Sequence, residues 1–190
     1  MMKNIAIFAS GTGSNFAALV AKFSDAAAGV HISVLVCDQA GAPVLTKAQA
    51  AGIPIIKVDY RACGSKAKAE TTILRQLPPV DLIVLAGYMR ILGPTLLNAY
   101  PRQIINLHPA LLPSFPGRTG IADAYNYGVR VTGITVHYVD SGIDSGEIIA
   151  QEPVRIVRGE SLAELEVAIH AAEHKLLPAV VVELLNGGEE

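Results

Sequence analysis

Asn4-Ile5-Ala6-Ile7-Phe8-Ala9-Ser10-Gly11-Thr12-Gly13-Ser14-Asn15 joins an apolar run to a glycine turn, and this junction decides how the chain folds. The run is too short for a signal peptide and reads as a core strand that passes directly into a helix start. Further along, short runs rich in valine and isoleucine alternate with Ala-rich stretches of helical length. That alternation is the pattern of βα units building a mostly parallel sheet. The spacing predicts strands over about 4–9, 31–37, 54–58, 81–86, 103–107, 131–139 and 147–157. It predicts helices over about 14–27, 42–51, 65–77, 94–99, 119–127 and 161–186. Asp81-Leu82-Ile83-Val84-Leu85-Ala86 is almost continuously apolar, as a strand covered on both faces must be, which puts it near the sheet centre. Ser161 and Glu164 form a capping-box signature for the last helix, and Gly187-Gly188 closes it.

At 190 residues, 51% hydrophobic and 17% charged, the chain is long enough for one sizeable core and too apolar to be disordered. The expected architecture is a single α/β domain over 1–190, a Rossmann-like, mostly parallel twisted sheet with helices on both faces. There is no long uncharged apolar run of membrane-spanning length, so a soluble, compact protein is expected. The net charge of −2 provides no basic field to hold a phosphate polymer, which argues against nucleic acid as a partner. Cys37 and Cys63 have no CxxC spacing, so neither a disulfide framework nor a zinc site is expected, and a cytoplasmic location fits. Cys37 reads as a small core residue at a strand end, Cys63 as a loop thiol.

The glycine turn should lie at the carboxyl edge of the sheet, where free backbone N–H groups at a helix start favour an anion. It departs from the dinucleotide fingerprint, because Phe16 stands where a small residue is needed, and Gly64-Ser65-Lys66 does not complete a Walker A sequence. The hydroxyl of Ser14 and the amide of Asn15 suit a phosphate monoester. A tight structural turn without a ligand is the alternative.

A second signal is Asn106-Leu107-His108-Pro109-Ala110-Leu111-Leu112-Pro113. Asn106 and His108 are two residues apart on an extended segment, so both side chains point the same way at a strand's carboxyl end. An amide N–H and an imidazole N–H together suit acyl chemistry, in which attack on a carbonyl creates an oxyanion. Pro109, Pro113 and Pro116 stiffen the loop beyond His108, and 109–120 is the densest proline and glycine stretch. The third signal runs from Gly133 to Gly146: alternation over 134–138 gives a strand, and the glycines and acids after it give a turn carrying Asp140 and Asp144. Beside an imidazole, Asp144 would favour its charged form; alone, it reads as an ordinary turn acid. His31, His137 and His170 read as structural.

Together these segments resemble the folate-dependent formyltransferases, whose signature is the Asn-x-His-Pro-x-Leu-Leu-Pro stretch plus a downstream aspartate. The resemblance extends to Gly11-Thr12-Gly13-Ser14-Asn15, to Ala86-Gly87-Tyr88-Met89-Arg90-Ile91-Leu92 and to Glu173-His174-Lys175, and spans essentially the whole chain. It implies a formyltransferase fold and transfer of a formyl group from 10-formyltetrahydrofolate, as co-substrate, to an amine. The match is closer to the branch whose acceptor is a phosphoribosylated glycinamide. It further implies catalytic roles for Asn106, His108 and Asp144. It assigns Gly13, Ser14 and Asn15 to the substrate phosphate, and Glu173 to the ribose and glycinamide part. Met89, Arg90, Ile91, Leu92, Asn106, Asp140 and Asp144 would then face the folate, with Lys66 meeting its glutamate tail. The amino-terminal half would thus bind the phosphate and the carboxyl-terminal half the folate. Read without the resemblance, Met89, Ile91 and Leu92 are core residues and Lys66 is a solvated helix charge.

The chain departs from the family pattern at Ala110, where serine is common, and at Arg118-Thr119-Gly120, where some relatives carry histidines. The implied partners are small-molecule substrates, without metal, nucleic acid or membrane, and the chain is expected as a monomer or homodimer. The tRNA-formylating and folate-hydrolysing branches are expected to carry a further domain and fit less well. A non-catalytic nucleotide-binding module is the reading from a different class.

Overall fold

A computed structural model describes residues 2–25 and 29–187. Along the chain lie β1 (Lys3–Phe8), α1 (Ser14–Phe23), β2 (Val30–Cys37), α2 (Pro43–Ala50), β3 (Ile55–Lys57), α3 (Lys66–Gln76) and β4 (Leu82–Leu85). There follow α4 (Pro94–Ala99), β5 (Ile104–His108), α5 (Gly120–Tyr127), β6 (Val131–Tyr138), β7 (Ile148–Arg155) and α6 (Leu162–Asn186). The strands form one seven-stranded sheet in the order β3-β2-β1-β4-β5-β6-β7. Neighbours from β3 to β5 are parallel, whereas β6 runs antiparallel to both β5 and β7.

The two-residue period of a strand builds two cores from one sheet. In β1, Ile5 and Ile7 pack into a core with Phe16 and Leu19 of α1, Val44 of α2 and Leu165, Ile169 and Leu177 of α6. Ala6 and Phe8 point the other way, into a core with Ala69 and Ile73 of α3 and Leu96 of α4. Each large side chain fully withdrawn from water contributes about 1.5–3 kcal/mol. With helices on both faces, β4 is buried along its whole length and sits at the middle of the sheet, as its apolar run requires.

From β1 the chain builds toward one edge through β2 and β3, then returns to lay β4 and β5 on the other side. The order therefore reverses between β1 and β4, which opens a crevice at the carboxyl ends of those strands. The glycine turn after β1, the 87–92 segment after β4 and the Asn106 to His108 end of β5 all converge on it.

Most predicted elements differ from the observed ones by a residue or two at each end. Ser65 and Ser161 are caps rather than helical residues: Ser65 accepts from the Lys68 amide, and Ser161 and Glu164 complete the capping box in both directions. Helix α1 stops at Phe23, short of the expected 27, with Ser24 as its C-cap; positions 26–27 of that expectation, and Gly188, lie outside the described residues. Strand β5 runs one residue further than expected, through His108, because the ladder with β6 continues as far as the His108 and Thr135 pair. Pro153 sits within β7, where an edge strand spares it a ladder donor.

Helix α2 rests directly on the glycine turn. Gly13 has φ of +71°, and a Cβ built there would stand 2.4 Å from Val44 Cγ2. The Val44 amide donates to the Gly11 carbonyl at 3.2 Å, holding the two segments together. Gly13→Ala therefore meets a left-handed backbone penalty and a close contact at once. We expect a loss of roughly 1–3 kcal/mol in urea unfolding. Wild-type stability in that variant would show that the turn and α2 can separate at little cost.

Candidate active site

The crevice is a cavity of about 440 Å³ whose walls include Gly13, Ser14, Asn15, Met89, Arg90, Asn106, His108, Asp144 and Glu173. Residues distant in sequence meet there because four sheet-end segments and one face of α6 border it. Among the described residues, no group of three or more histidine, cysteine, aspartate or glutamate side chains is arranged to hold a metal ion.

At its centre lies His108, 2% exposed. Its Nδ1 stands 3.3 Å from Asp144 Oδ2, and its Nε2 is 2.8 Å from the carbonyl oxygen of Phe115. A carbonyl oxygen can only accept, so Nε2 donates to it. The same Asp144 oxygen accepts from the Gly117 amide at 2.8 Å, which fastens the loop after β5 to the turn after β6. Asp144 itself has φ of +50°, a left-handed conformation that an aspartate tolerates better than most residues.

The antiparallel register places His137 directly opposite Asn106. His137 Nδ1 is 2.9 Å from its neighbour's carbonyl, that of Tyr138, so this nitrogen carries a hydrogen. Burial pulls the His137 pKa below its ordinary value; the Tyr138 bond and Asp144 oppose this, and His108 adds to it. The ring is then neutral near pH 7, with a lone pair on Nε2 that accepts from Asn106 Nδ2 at 3.1 Å. This contact fixes which way the Asn106 amide faces and leaves its second N–H hydrogen for a ligand. His137 Nε2 also lies 3.7 Å from Asp144 Oδ1. His137, read from the sequence as structural, is thus part of the site. Its alternation pattern marked it as a strand residue, and only the pairing register shows which residue it faces.

At the other end of the cavity, α1 begins without a side-chain cap and has no acidic residue in its first turn. Its first amides are therefore open to an anion. Asn15 Nδ2 donates to Glu173 Oε2 at 2.9 Å, and His170 Nδ1 is 2.9 Å from the same oxygen. Because a carboxylate only accepts, the Asn15 amide orientation is set, and its Oδ1 is left buried with no hydrogen-bond partner. His170 lines this cavity too, another histidine whose role the sequence did not reveal. His31, on β2, is solvent-exposed and borders no part of it.

The wall after β4 corrects part of the residue-only reading. Leu92 is buried, as a core residue should be, but Met89 and Ile91 are 52% and 51% exposed and line the cavity. Arg118, in the stretch where the family pattern varies, donates to the Met89 carbonyl at 3.3 Å and borders the cavity. Asp140 also lines it, with Oδ1 accepting from the Gly142 amide and from Ser145 Oγ, so this carboxylate shapes its own loop. Lys66 is not in this cavity. It lines an adjoining groove of about 540 Å³, together with Ile91, Leu92 and Asp140.

The His137 geometry has a consequence for acid stability. Its folded-state pKa lies below the ordinary 6.5, so on acidification the unfolded chain takes up the proton first. Stability from the neutral ring is whole above that value and is lost as pH falls below it toward the folded value. We expect the Tm to drop between about pH 7.5 and about pH 5, and His137→Gln to drop less over the same interval. Parallel curves for the two proteins would remove His137 as the source.

Residues 3–181 match the Formyl transferase family. The chain is 46% identical over 194 aligned residues to phosphoribosylglycinamide formyltransferase of Bacillus subtilis (strain 168), covering 100% of both chains. It is 35% identical to part of the human trifunctional purine biosynthetic protein adenosine-3, matching 96% of this chain and 18% of that protein. Among solved structures, glycinamide ribonucleotide transformylase 1 from Geobacillus kaustophilus superposes with a TM-score of 0.94 at 48% identity, covering 97% of this chain and 100% of that one.

Proposed function

The chain belongs to the Formyl transferase family, and from that premise we propose that it formylates the amine of N1-(5-phospho-D-ribosyl)glycinamide, with 10-formyltetrahydrofolate as donor and tetrahydrofolate as the second product. This is a step of purine biosynthesis. The observation that carries the reading is the meeting of Asn106, His108 and Asp144 in the cavity that also holds the uncapped start of α1.

The phosphate lies at the Gly13, Ser14 and Asn15 turn, where open amides and the helix dipole favour a dianion. Glu173 and the unpartnered Asn15 Oδ1 accept hydrogens from the ribose and glycinamide part. The folate occupies the wall of Met89, Arg90, Ile91 and Leu92 and the loop carrying Asp140 and Asp144. Its glutamate tail runs into the groove beside Lys66. In this arrangement the amino-terminal half of one domain holds the phosphate and supplies the Met89 to Leu92 wall, and the carboxyl-terminal half brings Asn106, His108, Asp140 and Asp144 to the donor's reacting end.

The glycinamide nitrogen attacks the formyl carbon, and the carbonyl oxygen becomes an oxyanion. The free N–H hydrogen of Asn106 is one donor to it. The Nε2–H of His108 is the other, once ligand displaces the Phe115 carbonyl from it. Asp144 holds the opposite edge of the imidazole and so fixes the ring's orientation. Collapse of the intermediate breaks the bond from carbon to the folate nitrogen. The proton lost by the attacking nitrogen reaches the departing one through His108 and water. Bringing the two reactants side by side supplies much of the acceleration, and no step calls for a metal.

The test is a steady-state assay that follows folate product with each candidate amine. His108→Ala should lower kcat by about 10²–10⁴-fold while both substrates still bind, and Asn106→Ala by about 10²–10³-fold. Wild-type turnover in His108→Ala would overturn the assignment. Calorimetric titration with a folate analogue separates this reading from a nucleotide-binding module, which would give no heat.

A further inference from the structure

Asp38, at the carboxyl end of β2, borders no part of the cavity, yet its side chain is wholly enclosed and engaged on both oxygens. Ser10 Oγ donates to Oδ1 at 2.6 Å; Arg90 Nε and Gln39 Nε2 donate to Oδ2 at 2.6 and 3.0 Å. Ser10 passes the connection on: its Oγ accepts from the Met89 amide at 2.9 Å, and its own amide donates to the Gly87 carbonyl at 3.0 Å. Arg90 is held from its other side as well, with its guanidinium 4.9 Å from the centre of the Tyr60 ring. The far end of the same segment is tied by a second buried carboxylate, Glu70, which accepts from the Gly93 and Leu96 amides. The span between these ties carries Met89 and Ile91, the half-exposed side chains that form the cavity wall.

The direction of these bonds is informative. Of the groups that Asp38 and Ser10 hold, the Arg90 side chain and the Met89 amide belong to the wall, and neither lies in the sheet. Burial alone would push the Asp38 carboxyl up. The donors from Ser10, Arg90 and Gln39 together outweigh it and bring its pKa below the ordinary value, as fits an ionised anchor at neutral pH. Enclosing a charge is costly unless every lone pair is used, so the arrangement defines one position for the residues it holds.

We propose that Asp38 is a positioning residue for the donor side of the reaction: through Ser10 and Arg90 it fixes the Met89 to Ile91 wall, and so sets affinity for the formyl donor without touching it. This rests on the proposed function, in which the wall receives the folate. A single carboxylate thereby links the end of β2 to a subsite built after β4, and a change there acts on one substrate rather than on both.

The experiment is steady-state kinetics on the full chain, with donor and acceptor varied separately, for wild type, Asp38→Ala, Asp38→Asn and Ser10→Ala. Asp38→Ala should raise the donor KM by about tenfold and leave the acceptor KM within about twofold, as expected for loss of a charge-assisted contact. Asp38→Asn, which still offers an oxygen to Ser10, should recover part of the loss. Ser10→Ala removes one oxygen atom and should raise the donor KM by about threefold, which provides a reading if Asp38→Ala does not fold. An unchanged donor KM in the folded variants overturns the proposal, as does a parallel rise in both KM values, which would mark general loosening. If wild type itself neither binds nor consumes the folate donor, the functional reading falls first and takes this proposal with it. If wild type turns over and the variants match it, only the role of Asp38 falls.

Discussion

The antiparallel register of β5 against β6 is the constraint on which the site depends. Pairing Asn106 with His137 places an amide and a neutral imidazole side by side at the open end of the sheet. A slip of one residue would turn Asn106 and His108 to the opposite face and bury them in a helix-covered core. The hydrophobic residues around them oppose that slip: Ile105 and Leu107 on β5, and Ile134 and Val136 on β6, are all buried, and a one-residue shift would turn them away from the core. Apolar burial thus determines where a polar cluster lies, although none of the apolar side chains takes part in it.

The cluster is connected group by group. Tyr138 sets the tautomer of His137, His137 sets the Asn106 amide, and Asp144 spans both imidazoles at 3.3 and 3.7 Å. Each assignment follows from what a carbonyl, a carboxylate or a lone pair is able to do, so the orientations are not independent. Low exposure strengthens every such bond and equally raises the cost of leaving any member unpaired. The buried Asn15 oxygen stands out against this background, since it remains unpaired in a cavity wall otherwise rich in satisfied groups.

The two ends of the cavity are built by different means. At the glycine turn the geometry is steric: Gly13 adopts a left-handed backbone and lies against Val44, which leaves α1 to open with free amides. On the 87–93 wall it is electrostatic, with Asp38 and Glu70 holding backbone amides and a guanidinium from beneath. With Tyr88 and Leu92 buried in the core as well, the wall can expose apolar side chains such as Met89 and Ile91.

Local periodicity determined much of this protein. Alternating apolar residues gave the strands, the continuous run at 81–86 marked the central one, and Ser161 with Glu164 announced the last helix, because each signal lies within a few residues of chain. The signature at Asn106 and His108, the glycine turn and Asp144 were legible as candidates for the same reason: each is a short motif with its own chemistry. Lys66 and the exposed positions Met89 and Ile91 were less so, since an apolar residue after a strand looks the same whether it faces a core or a cavity. His137 and His170 read from the sequence as structural, and nothing there singled out Asp38. Their partners lie 31, 3 and 52 residues away, at Asn106, Glu173 and Arg90. The His170 and Glu173 pair spans three residues of one helix, but that it faces the cavity and meets Asn15 of α1 is set only by how α6 packs. Which side chains share a hydrogen bond is fixed by strand register and helix packing, and those are settled only when distant segments close together and bury their apolar faces.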